Sequence, residues 1–309
     1  MTNLYILGTG TPEPGAARFG TSFVVESNGE HLMFDCGPAT TYKLARAGLR
    51  PNQVTSVFFT HHHFDHDVDL PCFLLSRWDQ SISDDPPLKL YGPKPTTELC
   101  NNIIGNGGMF WHDISARINS LGSQTVFKER GGSLPRTPPK VDSRDIQAGD
   151  TLVTSNCTVR TSRALHAQPW LDSIAYRLET YDGSIVFLGD TRRCPEVVEL
   201  AQGCDVLIAP CWDDQDKMTG ERAIFGSRDA AALADEVGAK SLVLVHSVEG
   251  IDDPTTYQKV ACETNEIFGP KAVVGSEGMV LGLTKDVEGF RVLRTNFPHP
   301  VSIQHDNDI

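Results

Sequence analysis

The chain contains 309 residues, of which 39% are hydrophobic, and its formal net charge at pH 7 is −13. This length is sufficient for a sizeable core, and we expect one elaborated α/β domain. The negative charge argues against nucleic acid as a partner, because phosphate backbones are bound through Lys and Arg, and no apolar run is long enough to span a membrane.

Short β-rich runs alternate with helical segments along the chain. Strands are predicted at residues 4–7, 22–25, 31–34 and 56–59, with a helix at residues 41–47. The second half repeats the pattern, with strands at residues 158–161, 174–178, 184–188, 206–208 and 241–245 and helices at residues 195–202 and 227–237. Alternation of this kind predicts sheets covered by helices.

A dense run of metal-binding side chains follows the fourth predicted strand. It reads Thr60-His61-His62-His63-Phe64-Asp65-His66. An expression tag would be terminal and homopolymeric, whereas this run is internal and includes a carboxylate, so we interpret it as a site for two divalent metals. His62 lies between two ligand candidates and is predicted to pack against its surroundings or to support a ligand rather than bind metal.

Residues 101–150 interrupt the alternation of strands and helices. They contain Gly105-Asn106-Gly107-Gly108, a short predicted helix at residues 110–119 and three prolines, Pro135, Pro138 and Pro139. We interpret this segment as an insertion into a single domain of residues 1–294 that lies over the site. Its basic side chains are predicted to form a solvated surface rather than a phosphate-binding arm: Lys128, Arg130, Arg136, Lys140 and Arg144. Residues 295–309 form a polar tail.

Three further ligand candidates stand in the second half, each at or soon after the end of a predicted strand. They are His166, Asp190 and His246. Each one alone could equally be a structural histidine or a turn residue. Together they supply the additional ligands that two metals need beyond the histidine run. Eight cysteines without CxxC spacing are predicted to be reduced thiols, typical of a cytoplasmic protein. A strand is predicted almost at the chain start, at residues 4–7, so we expect no secretion signal there and the same location.

These motifs resemble the metallo-β-lactamase superfamily and, within it, the ribonuclease Z-like branch. The similarity extends over most of the chain and includes Leu7-Gly8-Thr9-Gly10-Thr11-Pro12, Phe34-Asp35-Cys36-Gly37, the histidine run, Leu90-Tyr91-Gly92-Pro93 and Gly189-Asp190-Thr191. It implies an αβ/βα sandwich, in which two central mixed sheets are flanked by helices. Proteins of this branch often form dimers, so a homodimer is expected by analogy.

The resemblance also implies a ligand set. His61, His63 and His166 would hold the first metal; Asp65, His66 and His246 would hold the second; Asp190 would bridge them. The metals are usually zinc, two per chain, with manganese or iron as alternatives, and a zinc-activated hydroxide would attack the substrate. Asp65 is expected to act as a catalytic base as well. Asp35 either fixes the tautomer of an imidazole or serves as a turn residue.

Two segments depart from the ribonuclease Z pattern and guide the substrate prediction. Where those proteins carry an assisting Glu and His, this chain has Ala209-Pro210-Cys211-Trp212 and Ile224-Phe225-Gly226, and Phe64 replaces a common Gly. The sequence therefore predicts a hydrolase of a small, partly aromatic organic substrate, an ester, lactone, sulfate or phosphodiester. The predicted substrate contacts are Trp212, Phe225, Trp170 and Ser247.

Two other function classes remain open. One is a ribonuclease Z-like endoribonuclease acting on tRNA precursors, for which the basic insertion would serve as an arm. The other is a non-catalytic scaffold or sensor, which the intact ligand set argues against.

Overall fold

The structure is a computed structural model that describes residues 1–82, 85–218, 224–286 and 289–297. The helices are α1 Thr40–Ala47, α2 Phe64–Asp67, α3 Leu70–Gln80, α4 Thr96–Ile104, α5 Trp111–Asn119, α6 Leu121–Glu129, α7 Pro195–Ala201, α8 Ser227–Glu236 and α9 Pro254–Phe268. The strands are β1 Thr2–Thr9, β2 Thr21–Ser27, β3 Glu30–Phe34, β4 Val54–Phe58, β5 Leu88–Gly92, β6 Val141–Asp145, β7 Thr151–Val153, β8 Thr158–Arg163, β9 Ile174–Glu179, β10 Ser184–Phe187, β11 Val206–Pro210, β12 Leu242–Val245, β13 Ala272–Val274, β14 Val280–Leu283 and β15 Arg291–Arg294.

The strands form two mixed sheets. The first has the order β15-β14-β1-β2-β3-β4-β5-β6, and the second has the order β13-β12-β11-β10-β9-β8-β7. In the first sheet β3, β4, β5 and β6 run parallel, and in the second β10, β11, β12 and β13 run parallel; the remaining pairs are antiparallel. The predicted sandwich of two mixed sheets with flanking helices is confirmed.

Three buried clusters hold the layers together. The central cluster lies between the sheets and contains an aromatic stack in which the rings of Phe34 and Phe187 are 4.0 Å apart at 12°. A second cluster joins the second sheet to α7, α8 and α9, and a third joins the first sheet to α1, α3, α4 and α5. Because both faces of each sheet are covered, the central strands are almost wholly apolar, as parallel strands require.

Every strand and helix predicted before residue 101 and after residue 150 is present, and each boundary lies within two residues of the predicted one. The short helix in the insertion is confirmed as α5. The same region also contains the end of α4, α6 and β6, so it is more regular than predicted. The polar tail lies outside the described residues from residue 298 onward. Among the helices the structure describes, we find none with the length and apolarity to cross a bilayer.

The basic stretch of residues 128–144 is not the uniform solvated surface that was predicted. Arg136 is buried, with its guanidinium carbon 4.0 Å from the centroid of the Trp78 ring and 4.6 Å from that of Phe127. The prediction was wrong for this residue because a guanidinium can be desolvated when it stacks on aromatic faces.

Leu178 is fully buried in β9 within the core between the sheets. We therefore predict a large loss of stability when its side chain is truncated. Leu178→Ala should lower the free energy of unfolding by about 2–5 kcal/mol through lost burial and a residual cavity. The matched control is Leu293→Ala, at a side chain that is 48% exposed, where we expect a change within about 0.5 kcal/mol. Urea unfolding would measure both, and equal losses would contradict this assignment of the core.

Candidate metal centre

The two sheets bring their strand ends to one place. His61 follows β4, and Asp35 follows the neighbouring parallel strand β3. In the second sheet Asp190 lies three residues after β10 and His246 directly follows β12. Because parallel strands end at the same edge of a sheet, polar side chains from distant segments meet there, the usual place for ligand sites in α/β folds.

The backbone at this edge is unusual in conformation. Asp35 and His246 have φ values of 58° and 54°, in the left-handed region that non-glycine residues rarely adopt. Gly189, just before Asp190, has a φ of 60°, and a Cβ there would lie 2.7 Å from the Thr60 Cβ atom. Only glycine adopts this positive φ without strain and leaves room for the Thr60 side chain. Strain of this kind is concentrated at functional sites.

The first cluster contains His61, His63, His166 and Asp190. His63 Nδ1 lies 3.0 Å from His61 Nε2 and 3.1 Å from His166 Nε2. Asp190 Oδ2 lies 3.9 Å from His61 Nε2 and 3.6 Å from His166 Nε2. The four candidate ligand atoms therefore lie within 4.8 Å of one another.

The second cluster contains Asp65, His66 and His246. Asp65 Oδ2 lies 3.2 Å from His246 Nε2 and 3.5 Å from His66 Nε2. Asp190 reaches this cluster as well, with Oδ2 at 3.2 Å from His246 Nε2 and Oδ1 at 3.6 Å from His66 Nε2. The carboxylate of Asp190 thus stands between the two clusters, in the position predicted for a bridge.

These separations suit metal coordination. Two ligands at 2.0–2.1 Å from a tetrahedral zinc are about 3.3 Å apart, which is close to most of the distances above. Several buried atoms here have no hydrogen-bond partner within the described part of the chain: Asp65 Oδ1, His66 Nε2, Asp190 Oδ1 and His246 Nδ1. Buried polar atoms are normally satisfied, so this donor set fits divalent cations.

Three buried carboxylates make the site strongly negative. Asp35 and Asp65 are each 1% exposed, and Asp190 is 4% exposed. Burial alone would lower the pKa of His66, but Asp35 and Asp190 beside it raise that pKa well above its usual range. Burial would also raise the pKa of Asp190, yet His246 and His66 hold it well below its ordinary value. The Asp190 carboxylate is therefore ionised, and a buried anion requires compensating positive charge.

Two histidines of the first cluster have lowered pKa values. Burial lowers the pKa of His61 well below its usual value, and burial followed by the neighbouring His166 lowers the pKa of His63. A metal ion binds the neutral form of histidine, so these side chains need not lose a proton first.

The contacts of Asp35 settle the alternative left open by the sequence. Its Oδ2 accepts a hydrogen bond from His66 Nδ1 at 2.8 Å, which directs Nε2 of the same ring toward the cluster. Its Oδ1 accepts from the backbone N–H of Thr60 at 2.7 Å. Asp35 is thus both a turn residue with positive φ and the carboxylate that fixes an imidazole tautomer.

Thr60 was not singled out from the sequence. Its Oγ1 lies 2.9 Å from Asp35 Oδ2 and 3.0 Å from His61 Nδ1, so it orients both partners. A polar residue between an apolar strand and the histidine run was the available signal. Thr191 has a comparable role, because its Oγ1 accepts from the Leu165 N–H at 2.9 Å and links the turns that carry His166 and Asp190.

His62 points away from both clusters, as predicted. Its Nδ1 lies 3.0 Å from Asp67 Oδ2 and its Nε2 lies 2.8 Å from Thr96 Oγ1. The side chain of Phe64 is 53% exposed at the start of α2, directly after His63.

The four predicted substrate contacts occupy different environments. The Trp212 ring is 6.0 Å from the His246 ring, and Trp170 is 91% exposed. Phe225 is 3% exposed and belongs to the core beneath α8, and Ser247 is 1% exposed with its Oγ donating to the Cys211 carbonyl oxygen at 2.7 Å. Burial removes Phe225 and Ser247 from direct contact with a substrate, so these two predictions do not fit the structure.

Residues 2–217 match the family model described as anti-Pycsar protein Apyc1. The chain is 30% identical to ribonuclease Z of Mycobacterium sp. (strain KMS) over 254 residues, covering 80% of this chain and 84% of that protein. It is 32% identical to ribonuclease Z of Mycolicibacterium gilvum (strain PYR-GCK) over 209 residues, which cover 67% of this chain and 68% of that protein.

Two solved structures share the fold. The metallo-β-lactamase fold protein YhfI from Bacillus subtilis has a TM-score of 0.70 and 17% identity, covering 90% of this chain and 98% of that one. Human tRNase Z, short form, has a TM-score of 0.66 and 21% identity, and the match covers 91% of this chain and 99% of that one.

The sequence relatives correct one prediction. The net charge was taken to argue against nucleic acid, but the relatives of Mycobacterium and Mycolicibacterium are named for an activity on RNA. The prediction was wrong because net charge describes the whole surface, whereas cleavage depends on the local field at the site.

The hydrogen bond from His66 to Asp35 predicts a role in metal affinity. Asp35→Asn removes the charge that stabilises the ring orientation, and we expect metal to bind about tenfold more weakly. The matched control is Asp67→Asn, which alters the equivalent pair with His62 outside the clusters. Competition with a chelator would measure both variants, and unchanged affinity in Asp35→Asn would contradict the role assigned here.

Proposed function

The chain belongs to the ribonuclease Z-like branch of the metallo-β-lactamase superfamily and matches the family described as anti-Pycsar protein Apyc1. From this membership we propose that the protein is a metal-dependent phosphodiesterase acting on RNA. The observation that carries the proposal is the pair of ligand clusters that share Asp190. A chain of this branch with both clusters intact has the ligands for two cations, which hydrolysis of a phosphodiester uses.

We assign His61, His63 and His166 to the first cation. Asp65, His66 and His246 are assigned to the second, and Asp190 to both. Zinc suits the imidazole and carboxylate donors, and manganese or iron are alternatives. When bound, two such cations supply a water of lowered pKa and polarise the oxygen on which charge develops.

Asp65 has a second role in this proposal. Its Oδ2 is engaged with His246, while Oδ1 is buried and lacks a hydrogen-bond partner among the described side and main chains. Burial works to raise the pKa of Asp65, but the hydrogen bond with His246 and the nearby His66 lower it below the usual value. The carboxylate is therefore ionised at neutral pH, and its free oxygen can accept a proton from the attacking water.

Two exposed aromatic residues lie close in sequence to histidines of the first cluster. Phe64 directly follows His63, Trp170 lies four residues after His166, and the rings of these two histidines are 4.9 Å apart. Trp170 is 91% exposed and Phe64 is 53% exposed. Single-stranded RNA is bound by stacking unpaired bases on such rings, so we assign both residues to the substrate.

A second candidate is hydrolysis of a small phosphodiester that carries an aromatic ring. It is favoured by Trp212, whose ring lies 6.0 Å from His246 in a segment where ribonuclease Z proteins carry their assisting Glu. The Trp212 side chain is apolar at a point where the nucleases keep a group for proton transfer.

One experiment separates the two candidates. The metal-loaded protein is given a precursor tRNA and bis(p-nitrophenyl) phosphate over a range of salt concentrations. Cleavage of the tRNA that falls steeply with salt supports the RNA proposal, because contacts to phosphates release counterions. Cleavage of the aryl phosphodiester alone would overturn it in favour of the second candidate. Activity on aryl esters, lactones or sulfates, without either phosphodiester, would overturn both.

Adjacent histidines provide a matched pair for the same assay. His61→Gln should lose activity by at least roughly a hundredfold, in line with the removal of a group that stabilises transition-state charge. His62→Gln, one residue away and bonded to Asp67 and Thr96, should retain most of it. Equal activities would contradict the ligand assignment.

The exposed Trp170 ring predicts a specific kinetic effect. Trp170→Ala should raise KM for RNA by roughly 5- to 150-fold, which corresponds to the loss of one stacked base, with little change in kcat. The control is Tyr181→Ala, at an aromatic side chain that is 65% exposed in the turn between β9 and β10. A fall in kcat alone, or equal effects in both variants, would contradict a stacking role.

A further inference from the structure

A cavity separate from the metal centre lies between α3, α6 and the segment of residues 133–141. Its volume is about 420 Å³, which is within the range of small-molecule sites. Its walls are largely apolar and include Leu74, Trp78, Phe127, Pro138 and Val141. None of the seven assigned ligands lines it.

Arg136 brings a desolvated charge to this cavity. Its side chain is 5% exposed and lies against the rings of Trp78 and Phe127. Nη2 donates to Asp79 Oδ1 at 3.2 Å and to the Trp78 carbonyl oxygen at 3.3 Å, while the buried Nε has no partner among the residues that the structure describes. A guanidinium offers five N–H groups, so its hydrogen-bonding capacity here is incompletely used.

A second arginine lines the same cavity. Arg77 is 9% exposed, and its Nε donates to the Val54 carbonyl oxygen at 3.4 Å. Burial lowers the pKa of Arg77, and Asp85 partly opposes this shift. Two buried guanidiniums thus face one cavity.

The carboxylate that pairs with Arg136 is shared with other guanidiniums. Asp79, which pairs with Arg136, also pairs with Arg117 at 3.2 Å and with Arg130 at 2.7 Å. Its single charge is therefore shared among three guanidiniums. Buried charge of one sign favours a ligand of the other.

We propose that this cavity is a binding site for a small organic anion, an acid group attached to a flat apolar body. The acid group pairs with Arg77 and Arg136, and the apolar body packs on Trp78 and Phe127. The chemistry required is a planar or tetrahedral oxyanion that accepts hydrogen bonds from guanidinium, together with a ring of the size that the cavity admits.

Calorimetric titration of the metal-loaded protein with 1-naphthoate and with 1-naphthalenesulfonate tests the site. We expect one molecule per chain, and affinity roughly tenfold or more above that for the neutral 1-naphthalenemethanol, because the hydrogen bonds are charge-assisted. The two anions distinguish a carboxylate from a sulfonate headgroup. No binding of either anion at about 1 mM, where an affinity of only about −4 kcal/mol would be detected, overturns the proposal.

Arg136 and Arg130 both pair with Asp79, so one can be substituted as the test and the other as its control. Arg136→Gln should weaken naphthoate binding roughly tenfold. Arg130→Gln should leave it unchanged, because Arg130 pairs with the same Asp79 but is 51% exposed and does not line the cavity. Equal weakening in both variants would indicate a nonspecific charge effect and overturn the assignment.

A third variant keeps the proposal testable if Arg136→Gln does not fold. Thr137→Trp fills the cavity from an exposed lining position and leaves both buried arginines in place. It should abolish naphthoate binding while retaining the urea midpoint. Binding that persists in Thr137→Trp, or that is lost instead in Asp190→Ala, places the anion at another site and overturns the proposal.

Discussion

The structure depends on the burial of three carboxylates at the junction of two sheets. Asp35, Asp65 and Asp190 have almost no contact with solvent, and buried carboxylates are costly unless positive charge and hydrogen bonds compensate them. The imidazoles around them compensate only in part, because burial keeps His61 neutral. Divalent cations remove this conflict, so the same residues that would destabilise an apolar core define a metal centre.

The scaffold fixes this centre through contacts that cross between the sheets. Asp35 of the first sheet holds His66 and Thr60, and the backbone N–H of Ile174 in the second sheet donates to the Thr60 carbonyl oxygen at 2.9 Å. Tyr176 adds a second link, since its hydroxyl donates to the Phe59 carbonyl oxygen. The segment before the histidine run is therefore held by both sheets, and the ligands it carries have little freedom to move apart.

Local chemistry explains what the sequence could predict. The histidine run and the apolar strands were recognisable because ligand type, spacing and β-propensity are local properties. The longest described helix, α9, was missed: Asp253 precedes it and accepts hydrogen bonds from the backbone N–H groups of Thr255 and Thr256, but only Val260, Glu263 and Thr264 of its residues are buried. A helix with so few buried apolar positions has no clear periodicity. Phe225 and Arg136 were misjudged for a related reason, because their burial depends on packing between distant segments.

The error about nucleic acid has its origin in the site itself. The formal charge of −13 counts every carboxylate, including Asp65 and Asp190, which we assign to the proposed cations. Two divalent cations would add four positive charges at one point, in a region of low dielectric where they act with little screening. An anionic substrate approaching the partly exposed His63 and His166 would meet that local potential. The distant surface acids are screened beyond about 8–10 Å at physiological salt, so the net charge of the chain has little influence on the bond that is cleaved.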